Sequence, residues 1–380
     1  MATASIREVK VKDGSIHHQI VVEGGYDPLT GKRLRAFKTV TGSKREMNAI
    51  MHQMIVDMDK GIAMQQREKV TVAEWMDEWL ENYLPNIEET TRIGYKTKLR
   101  CYIKPAIGHI LLRSLRANHV QKMVNTMMAQ ELSPKNIRDA FNNVNAAMKQ
   151  AVRLRKIPYN PCEGVVLPKL KRYKAKVYDI EMINHLLDIA KDGDMYIPIL
   201  LGVSVGLRRG EMLALRWENV DFDAGVIKVR ESMARGENGS YIKAPKSESG
   251  IRDIHIGQEV LQALRRARFA YLNDRIAHGM GFVDDGFVVR QSNGKPMTPD
   301  AMTRKWKRFI KAHDLPDIRL HDLRHSNATA LIRAGVNPKV VQQRLGHADV
   351  TITLNTYTHV LPEMDIDAAD KLDDLLLKKA

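Results

Sequence analysis

The sequence predicts a multidomain protein that is mainly α with small β-sheets: a β-sheet plus helix first, an all-helical middle, and a mixed α+β C-terminal part. Three observations predict it. Residues 5–60 alternate short strand-like runs with turn chemistry. Residues 71–155 repeat apolar side chains at helical spacing, and residues 179–380 mix the two patterns. At 380 residues the chain has room for two or three domains. With 44% hydrophobic residues, buried cores are expected rather than wholesale disorder. The boundaries are read as 1–66, 67–160, a linker 161–178, and 179–380.

In the first part, Ile6 to Val11, His17 to Val22 and Leu34 to Val40 have strand character. Asp13-Gly14 and Tyr26-Asp27-Pro28-Leu29-Thr30-Gly31 carry turn chemistry between them. Ser43 with Glu46 three residues on has the spacing of a capping box, and opens a helix that runs to about Asp59. His17 and His18 are adjacent in a strand and face opposite sides, so they are not a metal pair.

In the middle part, Val72, Trp75, Trp79, Leu80 and Tyr83 recur on one helical face. So do Tyr95, Leu99 and Ile103, and again Val120, Met123, Val124 and Met127. Trp75 and Trp79 are read as core. Ser133-Pro134 is an N-cap with proline at the first helical position. Prolines 158, 161 and 168 and the basic run Lys169 to Lys176 mark a linker.

In the third part, helices are expected near 179–192, 194–205, 208–215, 257–273, 298–312, 321–334 and 338–345. Strands are expected near 225–231, 240–244 and 251–256. Ala368, Ala369, Leu372, Leu375 and Leu376 give the tail an amphipathic helical pattern.

The formal net charge is +15, which calls for a polyanionic partner, nucleic acid or an acidic membrane surface. Residues 67–172 carry 19 Lys and Arg against 10 Asp and Glu, so the excess lies on the helical middle. No apolar run approaches the ~18–20 residues of a membrane span, and the N-terminus has no continuous apolar stretch of the signal-peptide kind. Cys101 and Cys162 form no CxxC and are read as reduced thiols of a cytoplasmic protein.

The chemistry lies in a set of motifs. Gly206-Leu207-Arg208-Arg209-Gly210-Glu211 is followed by Ala244-Pro245-Lys246-Ser247, then His321-Asp322-Leu323-Arg324-His325. His347 comes 26 residues after His321, and Tyr357 ten after His347. Arg, Lys, His-x-x-Arg, His and Tyr together can cleave a phosphodiester without a metal. Two guanidiniums, Arg208 and Arg324, would hold charge building on the non-bridging oxygens. Lys246 would protonate the leaving 5′ oxygen, His321 and His347 would hydrogen-bond the phosphate or help to deprotonate the tyrosine, and Tyr357 would be the nucleophile. Arg209 is an alternative to Arg208, and Lys243 to Lys246. His321 and His325 stand four apart, but no Glu follows His321 in the HExxH manner and no third ligand is seen, so neither metal nor cofactor is expected.

The stretch from Gly206 to His359 resembles the catalytic domain of tyrosine recombinases, the integrases of phages and conjugative transposons. The likeness is carried by Gly206 to Trp217, by Pro245-Lys246-Ser247 with Arg252, and by His321 to Ser326, Leu345-Gly346-His347 and Thr356-Tyr357. Gly210 stands where Ser or Thr is frequent in the family. The helical middle resembles the family's core-binding domain, and residues 5–60 its arm-binding domain, with Tyr26 to Arg33 as the cue.

The resemblance implies a site-specific recombinase that integrates and excises a prophage or conjugative transposon. It would act through a 3′-phosphotyrosyl intermediate and a Holliday junction, as a tetramer on double-stranded DNA. It carries catalytic roles to Arg208, Lys246, His321, Arg324, His347 and Tyr357, and implies docking of the C-terminal tail on a neighbour. Lys96, Lys98 and Arg100 are candidate contacts to core-site DNA, and Lys32 and Arg33 to arm sites. An excisionase or a DNA-bending host factor is an expected partner. The alternatives are a type IB topoisomerase and a DNA-binding regulator that no longer cuts.

Overall fold

The computed structural model describes residues 2–10, 16–26, 33–59, 69–170, 176–245 and 248–346, together with Asp373 and Leu376. It divides into two compact units, Met1–Lys171 and Arg172–Ala380.

The first unit opens with the antiparallel sheet β1 (Thr3–Lys10), β2 (Ile16–Tyr26) and β3 (Arg33–Val40), in that spatial order. Alternation along β2 sends Ile20 and Val22 to one face, where they meet Val40 and Met47 and Met58 of α1 (Lys44–Asp59). The capping box is present: Glu46 takes the Ser43 backbone N–H at 2.8 Å, and Ser43 Oγ takes that of Glu46 at 3.4 Å. The opposite face pairs Arg7 with Gln19 and exposes Phe37.

The helical middle has its own core. Thr71 and Glu74 form a second capping box that starts α2 (Val72–Asn82). Helix α3 (Glu89–Lys98) continues into a wider π-helical stretch, Leu99–Gly108, which contains Pro105. A proline has no N–H for the regular ladder, so the wider winding at this point has a local cause. Helices α4 (Ala117–Ala129) and α5 (Pro134–Arg153) complete the bundle. Trp75 is fully buried at its centre and donates its indole N–H to the Ala147 carbonyl at 3.0 Å. Trp79 stacks on Tyr95.

Residues 161–170 fall in the stretch that the sequence assigns to a linker, and they pack on this bundle. Cys162 is buried, Val166 N–H donates to Gln121 at 2.8 Å, and Arg138 Nε donates to the Pro168 carbonyl at 2.8 Å. Burial raises the Cys162 thiol pKa to about 12, which keeps it protonated.

The second unit begins with α6 (Ile180–Ala190), capped by Asp179. Helix α7 (Tyr196–Leu200) widens into a π turn, Leu201–Val205, and α8 (Arg209–Ala214) follows. Strands β4 (Val220–Asp221), β5 (Val226–Val229) and β8 (Arg252–His255) make an antiparallel sheet in the order β4-β5-β8. Strands β6 (Ser232–Gly236) and β7 (Gly239–Lys243) form a separate hairpin. Helices α9 (Gln258–His278), α10 (Pro299–Ala312), α11 (Asp322–Arg333) and α12 (Pro338–Leu345) follow. Leu201, Leu213, Ile227, Leu264, Trp306 and Leu323 are central to the core. Strands β4 and β6 are additions to the sequence reading, and α9 runs five residues past its expected end at 273.

Candidate active site

Gly206 ends the π turn in the left-handed region, at φ +75°. A Cβ there would stand 2.7 Å from Leu345 Cδ2 and 2.8 Å from Asn327 Oδ1, so both the conformation and the space demand glycine. The turn leaves Arg208 as the residue before α8, in extended conformation. Glu211, on the first turn of α8, reaches back to the Arg208 backbone N–H at 3.0 Å and takes its Nη1 at 2.6 Å.

Glu211 is buried, and a buried carboxylate requires a cation. Arg252, at the start of β8, supplies a second one. Its Nη2 lies 2.9 Å from Glu211 Oε2, and its Nη1 3.2 Å from Oε1. Desolvation raises the carboxyl's pKa, but the Arg252 hydrogen bond and charge, then Arg208, outweigh it and bring it to about 2.

Three guanidiniums converge on consecutive carbonyls at the end of α12. Arg252 Nε donates to Arg344 O at 2.7 Å, Arg324 Nη2 to Leu345 O, and Arg208 Nη2 to Gly346 O at 2.6 Å. The last carbonyls of a helix lack intrahelical partners and carry its negative end, so cations satisfy both needs. Arg324 also donates Nη1 to Gly206 O at 2.7 Å and is 2% exposed. Gly346 caps α12 at φ +65°, and a Cβ there would stand 2.6 Å from the Ser249 carbonyl. The arrangement gathers positive charge around the turn that leads into His347.

His321 sits at the start of α11, with its ring edge-on to His325 at 5.3 Å. His321 is exposed, and His325 beside it is partly buried. Desolvation, then His325 and Arg324, lower its pKa to about 4, so it is neutral at physiological pH.

The structure therefore brings together Arg208 and Arg324 at the α12 turn and places His321 one helical turn before His325. Lys246, His347 and Tyr357 lie outside the described residues, as do Lys32 and most of the tail. Arg209, the alternative to Arg208, donates instead to Thr303 Oγ1 on α10 at 2.6 Å. Lys243 closes β7 opposite Ser232. Among the candidate DNA contacts, Lys96 and Arg100 are exposed. Lys98 lies 3.9 Å from Asp139 on α5, and Arg33 3.5 Å from Glu23.

Glu211 and Arg252 stand within the sequence motifs, but their pairing cannot be seen from spacing. The signal was present in part, since Glu211 is the one charge in Glu211-Met212-Leu213-Ala214-Leu215 and has to be neutralised when that run is buried. Gly210 also acquires a physical reason. A Cβ there would collide with Ser232 Oγ and stand 2.7 Å from the Met233 carbonyl, so glycine admits β6 against α8.

Among the described residues no group of three His, Cys, Asp or Glu could hold a metal ion, and no helix is long and apolar enough to cross a membrane.

Comparison with known proteins gives the family. Residues 177–364 match the phage integrase family, and residues 71–128 the N-terminal SAM-like domain of phage integrases. The chain belongs to the phage integrase family of tyrosine recombinases and is a site-specific recombinase of the integrase class.

Relatives of the chain are named as integrases, tyrosine recombinases and transposases. It is 27% identical over 373 residues to the ICEBs1 integrase of Bacillus subtilis (strain 168), covering 97% of this chain and 99% of that protein. It is 26% identical to the transposase from transposon Tn916 of Enterococcus faecalis, covering 72% of this chain and 71% of that one. Among solved structures, the Tn1549 transposon integrase in complex with a circular intermediate DNA superposes with a TM-score of 0.65 at 25% identity, over 78% of this chain and 99% of that one. A lambda integrase tetramer bound to a Holliday junction shares the fold, with a TM-score of 0.58 at 16% identity, over 93% of this chain and 94% of that one.

Proposed function

We propose that the chain cuts and rejoins double-stranded DNA with Tyr357 as nucleophile, through a 3′-phosphotyrosyl intermediate that needs neither metal nor ATP. The observation that carries the reading is the convergence of Arg208 and Arg324 on Leu345 and Gly346, directly before His347. Arg208 and Arg324 would hold the scissile phosphate, with His321 and His347 hydrogen-bonding it. Neutral His321 is suited to donate a ring N–H hydrogen bond to the phosphate near pH 7. Lys246 would protonate the 5′ oxygen. The phosphotyrosyl bond keeps the energy of the broken bond, so religation is the reverse attack.

The DNA complex of the Tn1549 integrase supports binding of duplex DNA, and the lambda tetramer on a Holliday junction supports a tetrameric synapse. The helical middle would contact the core site through Lys96 and Arg100. The N-terminal sheet would contact arm sites with the face bearing Arg7, Gln19 and Phe37, together with Lys32 and Arg33. Holding two sites in one chain raises their effective concentration for each other. An excisionase or a DNA-bending host factor would set the direction.

The test is covalent trapping on nicked suicide substrates from the ends of the element, with and without EDTA. An SDS-stable, EDTA-resistant adduct is expected from the unaltered chain and none from Tyr357→Phe, which keeps DNA affinity. An adduct from Tyr357→Phe, or loss of the wild-type adduct in EDTA, overturns the reading.

A further inference from the structure

Arg252 is 7% exposed at its side chain and uses its whole guanidinium inside the protein. One edge grips both oxygens of Glu211, at 2.9 and 3.2 Å. Nε donates to the Arg344 carbonyl at 2.7 Å, and Nη1 also reaches the Gly250 carbonyl at 3.1 Å. These partners belong to three pieces of the proposed site. Glu211 holds the Arg208 side chain and backbone, Arg344 belongs to the turn that enters His347, and Gly250 lies four residues after Lys246.

We propose that Arg252 is the positioning residue of the reaction. It never touches DNA, but it sets Arg208 through Glu211 and sets the α12 turn through the Arg344 carbonyl. The fork geometry makes the role specific to arginine, since four hydrogen bonds from three nitrogens in one rigid plane serve a carboxylate and two carbonyls at once. A lysine ammonium in the same space keeps the charge against Glu211 but has no planar fork to register the pieces. Without Arg252, nothing holds from behind the carboxylate that meets the Arg208 backbone N–H and Nη1.

The inference rests on the reading of Tyr357 as nucleophile, and single-turnover cleavage of the suicide substrate at saturating DNA tests it. Kd and melting temperature are measured alongside. Arg252→Lys is expected to slow adduct formation ~10–100-fold, the scale of a small misplacement of catalytic groups, with Kd and melting temperature little changed. In an Arg208→Lys background, Arg252→Lys is expected to add clearly less than it costs in the unaltered chain, because one of the two pieces it positions is already lost.

A second variant guards against misfolding. Arg252→Met with Glu211→Leu removes both buried charges together, a change that stable folds tolerate, and is expected to show the same loss of rate. A wild-type rate in either variant, or losses that multiply fully with Arg208→Lys, overturns the positioning role. No adduct from the unaltered chain overturns the nucleophile and this inference together. An adduct from it at an unchanged rate in Arg252→Lys overturns the inference alone.

Discussion

Arg208 and Gly346 lie 138 residues apart in sequence, and the Arg208 Nη2 donates to the Gly346 carbonyl at 2.6 Å. This contact fastens the entry of α8 to the exit of α12. It depends on Gly346 turning its carbonyl inward from the left-handed region, at φ +65°.

Gly346→Ala should therefore break the junction. The added methyl meets the Ser249 carbonyl at 2.6 Å and Arg252 Nη1 at 3.0 Å, in a conformation that strains alanine. A loss of about 1–3 kcal/mol is expected in the unit Arg172–Ala380. Urea denaturation of the full chain reads it, and an unchanged midpoint for that unit would refute the account.

Gly210→Ser tests the packing of β6 on α8. Serine's Cβ overlaps Ser232 Oγ and stands 2.7 Å from the Met233 carbonyl. Overpacking of this kind costs about 1–3 kcal/mol. Scanning calorimetry should show a lowered melting temperature, partly restored by adding Ser232→Gly. Serine accommodated at no cost would mean that the hairpin moves freely.

Glu211 predicts an acid limb. Its folded pKa is about 2, and unfolded glutamate titrates near ~4.3. The charged form is favoured in the fold, so its contribution is complete above pH ~4.3, declines as pH falls, and is gone once pH passes below about 2. The full effect is roughly 3 kcal/mol. Stability measured stepwise through that window should fall less steeply with pH in Glu211→Gln than in the unaltered chain. Parallel slopes would contradict the depressed pKa.

His321 shares the preference for the deprotonated form, which for a histidine is the neutral one. A pKa of about 4 against an unfolded value of ~6.5 means that the fold favours the neutral ring. Stability is full above pH ~6.5 and declines as pH falls towards about 4. The ring protons of His321, assigned by comparison with His321→Gln, should titrate by NMR with a midpoint well below 6. A midpoint near 6.5 would mean that the ring is solvated.

Much of this was legible in the sequence, for local reasons. Trp75, Trp79 and Leu80 announce their face through spacing alone. Ser43 with Glu46 and Ser133 with Pro134 announce helix starts because capping is chemistry within four residues. The missed strand β6 has no such signature, since Ser232-Met233-Ala234-Arg235-Gly236 is a poor strand former by composition. It forms where Gly210 lets it approach α8 and where β7 pairs with it. The winding of 99–108 was hidden because apolar periodicity does not distinguish an α-helix from a wider one.

The site divides the same way. Arg208, His321 and Arg324 could be picked out by motif. The brace behind them could not, because Arg252 meets Glu211 across 41 residues and Arg344 across 92. Nothing in the periodicity of either segment records the partner. A burial argument on Glu211 asks for a cation but does not say which of many arginines supplies it.

The three-carbonyl junction also fixes when this part of the fold can close. A ribosome makes Arg208 and Arg252 early, Arg324 later, and the acceptors at 344–346 last. Contacts of such long sequence separation close only after the intervening chain exists. A nascent chain halted before Gly346 lacks the Gly346 carbonyl that Arg208 grips, and a nick that releases α12 removes all three acceptors together. Closure of the junction is thereby tied to synthesis of the chain through Gly346.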